Sequence, residues 1–286
     1  MKAVAAALAA ALAVAAPAAA RPPIWTVKDA DSELVIFGSI HVLPPGLDWR
    51  PPALDAALAR ADDVWFELPV DAATQQESAR VAAESGVLPL GQSLFRQLPP
   101  ADARRLMKVA AAYGVDPLTL DRLEPWFAEV ALAAAAYRKA GATSDSGVEA
   151  AVGAAVPTGA RRRALETPAQ QIALLDGAHA ADQLASLRWT LKAMERDPQA
   201  FAALVRAWMA GDVRALDARA LQPLRRTSPG LFRRLVADRN ADWARQLDAR
   251  LRGSGRTVVV VGVGHLVGPE GVPARLRALG YSVTGP

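Results

Sequence analysis

The chain has 286 residues, 52% of them hydrophobic, enough to bury a sizeable core in one large domain or two small ones. It contains no cysteine, which excludes disulfides, thiolate metal sites and a cysteine nucleophile. The formal net charge is only +4, and the basic runs Arg161-Arg162-Arg163, Arg225-Arg226 and Arg233-Arg234 read as solvated helix faces, so a nucleic-acid partner is not expected.

Residues 1–20 read as a secretory signal: Lys2 supplies the positive start, Ala3 to Ala16 the apolar run, and Ala18-Ala19-Ala20 the small-residue cleavage pattern before Arg21. The run is shorter than the roughly 20 apolar residues of a spanning helix. No later segment is long and uncharged enough to span, so the mature chain is expected to be periplasmic or secreted without a membrane span.

The mature part then reads as a single domain, 21–286. A β-hairpin opens it, with strands Ile24 to Val27 and Leu34 to Ile40 around the turn residues Asp29-Ala30-Asp31-Ser32. Pro51-Pro52 start a helix that runs to Ala61, and Val64-Trp65-Phe66-Glu67-Leu68 forms a third strand. A strand–helix–strand run of this length favours parallel pairing. A largely helical insertion covers about residues 71–252, punctuated by prolines and glycines. Within it, Pro125 to Ala140 carries Trp126, Phe127, Val130, Ala134 and Tyr137 as a core-packing stripe. A short strand is expected over Arg163 to Glu166, with Thr167-Pro168 starting the next helix. Val258 to Val261 has the composition of a fully buried central strand. A helix from about Gly271 to Leu279 and a last strand, Tyr281-Ser282-Val283, close the chain. The expected fold is α/β: a mixed, largely parallel sheet made by the two ends of the chain around a large helical insertion.

Two of the chain's three histidines end the same local pattern, Gly38-Ser39-Ile40-His41 after one strand and Gly262-Val263-Gly264-His265 after another. Strand ends are where a parallel sheet presents its functional edge, so the two imidazoles are candidates for one site, a metal centre included. Two histidines do not complete a catalytic metal site. Glu67, at the end of an otherwise apolar strand, is the best further residue, because a buried carboxylate needs a partner. Glu166 has the same character, and Arg239 is the candidate cation for a substrate carboxylate or a developing oxyanion. His179 lies at a helix junction and reads as a surface or capping residue. Gly262-Val263-Gly264 with Gly268 imitates a dinucleotide fingerprint, but the spacing is wrong and only 18 residues follow Gly268.

Taken in order, Phe37 to Pro44, Glu67, Leu165-Glu166-Thr167 with Gln170-Gln171, Arg239-Asn240 with Trp243, and Val261 to Gly268 resemble the TraB/GumN family over essentially the whole mature chain. The family includes the Tiki metalloproteases, which use manganese or cobalt, and is similar to erythromycin esterase-like and ChaN-like haem-binding proteins. The resemblance implies that His41, His265 and Glu67 hold a divalent ion (Mn, Co or Zn) and that Glu67 and Arg239 are catalytic. It further implies an exported hydrolase acting on a peptide or other amide. The alternative is a non-enzymatic periplasmic protein that binds haem, a metal or a glycan in polysaccharide production. Relatives often carry Gly-Val-Asp where this chain has Gly147-Val148-Glu149, so Glu149 is a further candidate whose role the resemblance leaves open.

Overall fold

The computed structural model describes residues 20–286, so the expected signal, apart from Ala20, lies outside the described residues. Six strands form one mixed sheet: β1 (Ile24–Lys28), β2 (Ser32–Ser39), β3 (Asp63–Phe66), β4 (Arg161–Ala164), β5 (Gly255–Gly262) and β6 (Ser282–Thr284). Their order across the sheet is β4-β3-β5-β2-β1-β6. β4, β3, β5 and β2 run parallel, while β1 is antiparallel to both β2 and β6. The sheet is thus built from the two ends of the chain plus β4, with helices between.

The register follows the chemistry of the strands. Val258 to Val261 are buried at the centre of β5, as β-branched residues in a strand covered on both faces should be. Leu34 to Phe37 of β2 are buried beside them. The β1–β2 hairpin turns on Asp29, whose Oδ1 accepts the backbone N–H of Asp31 and of Ser32. At the opposite end of the sheet from the histidines, the buried Asp63 accepts from Trp65 Nε1, Thr257 Oγ1 and Arg250, tying β3 to β5.

Several expectations shift in detail. β2 and β3 are parallel, but they are not neighbours: β5 lies between them. The helix after Pro51 is Pro52–Leu58, ending before Ala61 because Arg60 and Ala61 donate to carbonyls only three residues back. β3 stops at Phe66, which leaves Glu67 just past the strand end. β4 begins at Arg161, so the triple-arginine run is an edge strand and not a helix face. Arg161 reaches Asp63 at 3.3 Å, and Arg163 lies over the Trp65 ring.

The helical insertion has its own apolar cluster, centred on Leu94, Leu106, Leu120, Leu132, Leu187 and Leu191. Helix Pro125–Lys139 turns Trp126, Ala128, Leu132 and Ala135 inward, whereas Val130 is 43% exposed. The packed face is therefore rotated from the expected stripe, and the helix packs against its neighbour Ala180–Arg196. His179 is exposed at the N-cap position of Ala180–Arg196 and makes no capping hydrogen bond. No helix among the described residues is long and apolar enough to cross a membrane.

Candidate functional site at the carboxyl ends of the parallel strands

β2, β3 and β5 deliver His41, Glu67 and His265 to the same edge. β5 ends at Gly262 and passes into a single 3-10 turn, Val263–His265. This turn, in place of an α-helix, removes the helix N-terminus that a dinucleotide phosphate would need. It also carries His265 back under the sheet edge, where the residue is 9% exposed. Gly38 is required by this packing: a Cβ there would lie 2.9 Å from the Val263 side chain.

Arg239 stands at the centre. It comes from helix Asp238–Leu251, which follows a π-helical turn, Arg233–Ala237, that changes the helix phase just before it. Its Nε and Nη2 donate to the two oxygens of Glu166 at 2.8 Å each, a bidentate pair. Nη2 also donates to Glu67 Oε2 at 3.0 Å. Nη1 donates to Leu235 O at 3.1 Å and to His265 Nε2 at 3.0 Å. All five guanidinium N–H groups thus have acceptors. The side chains of Arg239, Glu67 and Glu166 are all about 10% exposed or less. Trp243, one helical turn on, donates its indole N–H to Glu166 Oε1 at 2.9 Å and places its ring against both Arg239 and His265.

The tautomer of His265 follows from its partners. Arg239 can only donate, so Nε2 is an acceptor. Asn240 Nδ2 donates to Glu270 O, so Asn240 Oδ1 is left to accept from His265 Nδ1–H at 2.6 Å. Burial, helped by the charges of Arg239 and His41 and opposed by Glu67, pulls the ring down to about 3, so it is neutral at ordinary pH. For Glu67, burial would raise the carboxyl. The neighbouring His265, His41 and Arg239 and the Gly262 N–H outweigh it and hold the group at about 2. That N–H donates to Glu67 Oε1 at 2.7 Å.

His41 is different. Its side chain is 62% exposed, and its Nδ1 lies 2.8 Å from Glu149 Oε1. The same oxygen accepts the Ser39 hydroxyl at 2.5 Å. Crowding by protein atoms would lower the ring, but the Glu149 carboxylate, by charge and by hydrogen bond, and then Glu67 carry it up to about 9. With so much of the ring in water both influences are screened, and the upward direction is what survives. Glu149 is delivered by helix Val148–Ala155. The loop before that helix is pinned to the His41 segment: Val148 N donates to Ile40 O, and Leu43 bridges Thr143. A Cβ on Gly147 would lie 2.0 Å from the His41 carbonyl, so only glycine fits.

His41 Nε2 and Glu67 Oε1 face one another across Gly262. A Cβ built there would be 3.3 Å from the first and 3.2 Å from the second. A side chain at Gly262 would crowd both. The structure therefore brings the six predicted residues together as two adjoining groups near Gly262: Arg239 with Glu67, Glu166 and His265, and His41 with Glu149. Three further residues lay outside the sequence-derived set: Ser39, Asn240 as the partner of His265, and Gly262, whose missing side chain lets His41 and Glu67 lie close to it. Ser39 is 2% exposed, and no sequence signal marked it beyond its place inside Gly-x-x-His.

The match to known proteins agrees with this architecture. The TraB/PrgY/gumN family pattern matches residues 23–285. The chain belongs to the TraB/PrgY/gumN family. No curated protein and no solved structure matches it. The family span begins at the strand pair that carries His41 and ends within the last residues after β6, so it includes every residue of the network.

The donors present do not suit the divalent ion that the family resemblance implies. Among the described residues no group of three His, Asp or Glu side chains is disposed to hold a metal. His265 Nε2 already accepts from Arg239, whose guanidinium bridges His265 and Glu67 where the ion would have to sit. His41 Nε2 and Glu67 Oε1 alone are two donors, fewer than the three protein ligands of catalytic zinc sites. In this arrangement the set His41, His265 and Glu67 does not fit Mn, Co or Zn. Both nitrogens of His265 are engaged, so of the two Gly-x-x-His histidines His41 is the one with a ring nitrogen open to haem iron.

Proposed function

We propose that this family member is a hydrolase of amide-type bonds, peptides included, working with an imidazole–carboxylate pair on a preorganised charged floor. The observation that carries this reading is the His41–Glu149 contact. Nδ1 is held by a carboxylate, Nε2 lies close to Gly262 beside Glu67, and the ring is solvent-accessible. That is the arrangement of a general base whose third group fixes its tautomer.

In this reading neutral His41 takes a proton from an attacking water through Nε2 and returns it to the leaving nitrogen. Glu149 orients the ring and stabilises the imidazolium formed. Ser39 holds the Glu149 oxygen in place. Glu67, ionised and fixed by the Gly262 N–H, accepts a hydrogen bond from the water or from the substrate N–H. Arg239 has no spare donor for substrate, so it serves as a positioning residue: a resident cation that keeps Glu67 ionised and His265 neutral. The sequence-based readings of export and of an amide substrate are part of this proposal.

The test is a panel of fluorogenic peptides and amides with wild type, His41→Ala and Glu149→Gln, each with and without a chelator. Expected are wild-type turnover that survives chelation and loss of at least about a hundredfold in His41→Ala. Chelation that abolishes turnover, with manganese or cobalt restoring it, would overturn the metal-free arrangement. Haem or glycan binding at His41 without turnover of any amide would replace the hydrolase reading by a binding one.

A further inference from the structure

The start of the mature chain is built into the fold. Pro22 and Pro23 are buried, and Pro23 O accepts the Gly38 N–H at 3.1 Å. Just before them, Arg21 N donates to Met209 O at 2.8 Å, at the C-terminal end of helix Ala200–Met209. The carbonyls of Arg206, Ala207 and Trp208 already receive N–H groups from Ala210, Asp212 and Gly211, so Arg21 takes the last carbonyl of that helix. Gly211 has φ +69°, and a Cβ there would lie 2.5 Å from Arg21 O. The turn after the helix is thus shaped, by a residue that must be glycine, to let the Arg21 backbone lie against it.

We infer that the chain is cut between Ala20 and Arg21 and that the new N-terminal ammonium of Arg21 is seated on the C-terminal end of helix Ala200–Met209. The cut is a hydrolysis by a peptidase that recognises small residues. Water adds across the amide, Ala20 leaves as a carboxylate, and Arg21 keeps the nitrogen as an ammonium. The amide N–H supplies one donor and no charge. The ammonium supplies three donors and a positive charge facing the partial negative charge of a helix C-terminus.

The seat matters for the site because the same helix reaches it. Trp208, beside Met209, donates its indole N–H to Gly38 O at 2.7 Å. Both backbone groups of Gly38, the glycine of the first Gly-x-x-His, are therefore held by the docked start of the chain and by the helix that docks it. The inference rests on the sequence reading of residues 1–20 as a signal and is independent of the hydrolase reading.

Two measurements test it. Intact mass and N-terminal sequencing of the exported protein should give Arg21 as the first residue. A chain carrying one extra glycine before Arg21, which turns the ammonium back into an amide, should then melt roughly 1–3 °C lower than the chain that starts at Arg21. A mature chain beginning elsewhere overturns the assigned cut. Equal melting temperatures for the two chains overturn the seated ammonium, whatever the activity assays return.

Discussion

Replacing Arg239 by methionine isolates the physics of the charged floor. The substitution keeps the apolar stem against Trp243 and removes five donors, leaving Glu166 and Glu67 without their shared cation. Taking one partner from a buried ion pair costs about 3–5 kcal/mol. For a chain of this size that lowers the melting temperature by about 6–20 °C. The pH dependence distinguishes lost charge from lost packing. In the wild type the Glu67 carboxyl is depressed from 4.5 to about 2, so it contributes stability that is present above about pH 4.5 and lost as the pH falls through about 2. In Arg239→Met the Arg239 share of that contribution, which ranks behind those of His265 and His41, is missing, so the two proteins should differ most near neutral pH and draw together as the pH falls from about 4.5 toward about 2. Adding Glu166→Gln to Arg239→Met should recover part of the deficit, because one uncompensated charge is gone. Thermal and denaturant unfolding between pH 3 and 8 measures all of this. A deficit under about 1 kcal/mol, or one independent of pH, would refute the claim that Arg239 neutralises two buried carboxylates.

Other expectations concern individual contacts. Glu149 raises His41 above the ordinary imidazole range, so a rate that needs its neutral form should climb with pH above that range; Glu149→Gln should move the climb to lower pH, read from a pH profile of kcat/KM. The same shift means that the stability His41 gains from Glu149 is complete below about pH 6.5 and fades as the pH rises above it, which pH-dependent unfolding of the wild type and Glu149→Gln checks. Gly262→Ala puts a methyl group between His41 Nε2 and Glu67 Oε1 and should lower turnover about a hundredfold, with unfolding curves to establish that the fold is retained. Trp208→Phe leaves Gly38 O buried without its donor and should cost about 1–3 kcal/mol in denaturant unfolding.

The sheet was readable from the sequence where local chemistry and fold agree. The valine run of β5, the hairpin turn at Asp29 and the proline before the first helix each specify their element. Both Gly-x-x-His motifs were visible, and the prediction that His41 and His265 share one strand edge holds. Arg239 was named as the candidate cation, but its bonds to His265, Glu67 and Glu166 were not visible. Arg239 reaches His265, Glu67 and Glu166 only because a π-helical turn rephases its helix, and no residue pattern in Arg233 to Ala237 announces such a turn. The role of Glu149 was hidden for a related reason. Its distance from His41 is set by the pinning of the 143–148 loop to the His41 segment, a contact between positions more than a hundred residues apart. The triple-arginine run misled because charge on an edge strand and charge on a helix face look alike in sequence.

The strand order has a temporal side. β5, the middle of the parallel ladder, is made of residues 255–262, and β1 is flanked by β6 at 282–284, so β2 and β3 have nothing to join them until the last tenth of the polypeptide has been made. Closing a loop of more than two hundred residues is slow, and contacts of this range cannot form on a growing chain. The parallel ladder therefore closes late, and the two histidines meet only once β5 is available to bridge β2 and β3.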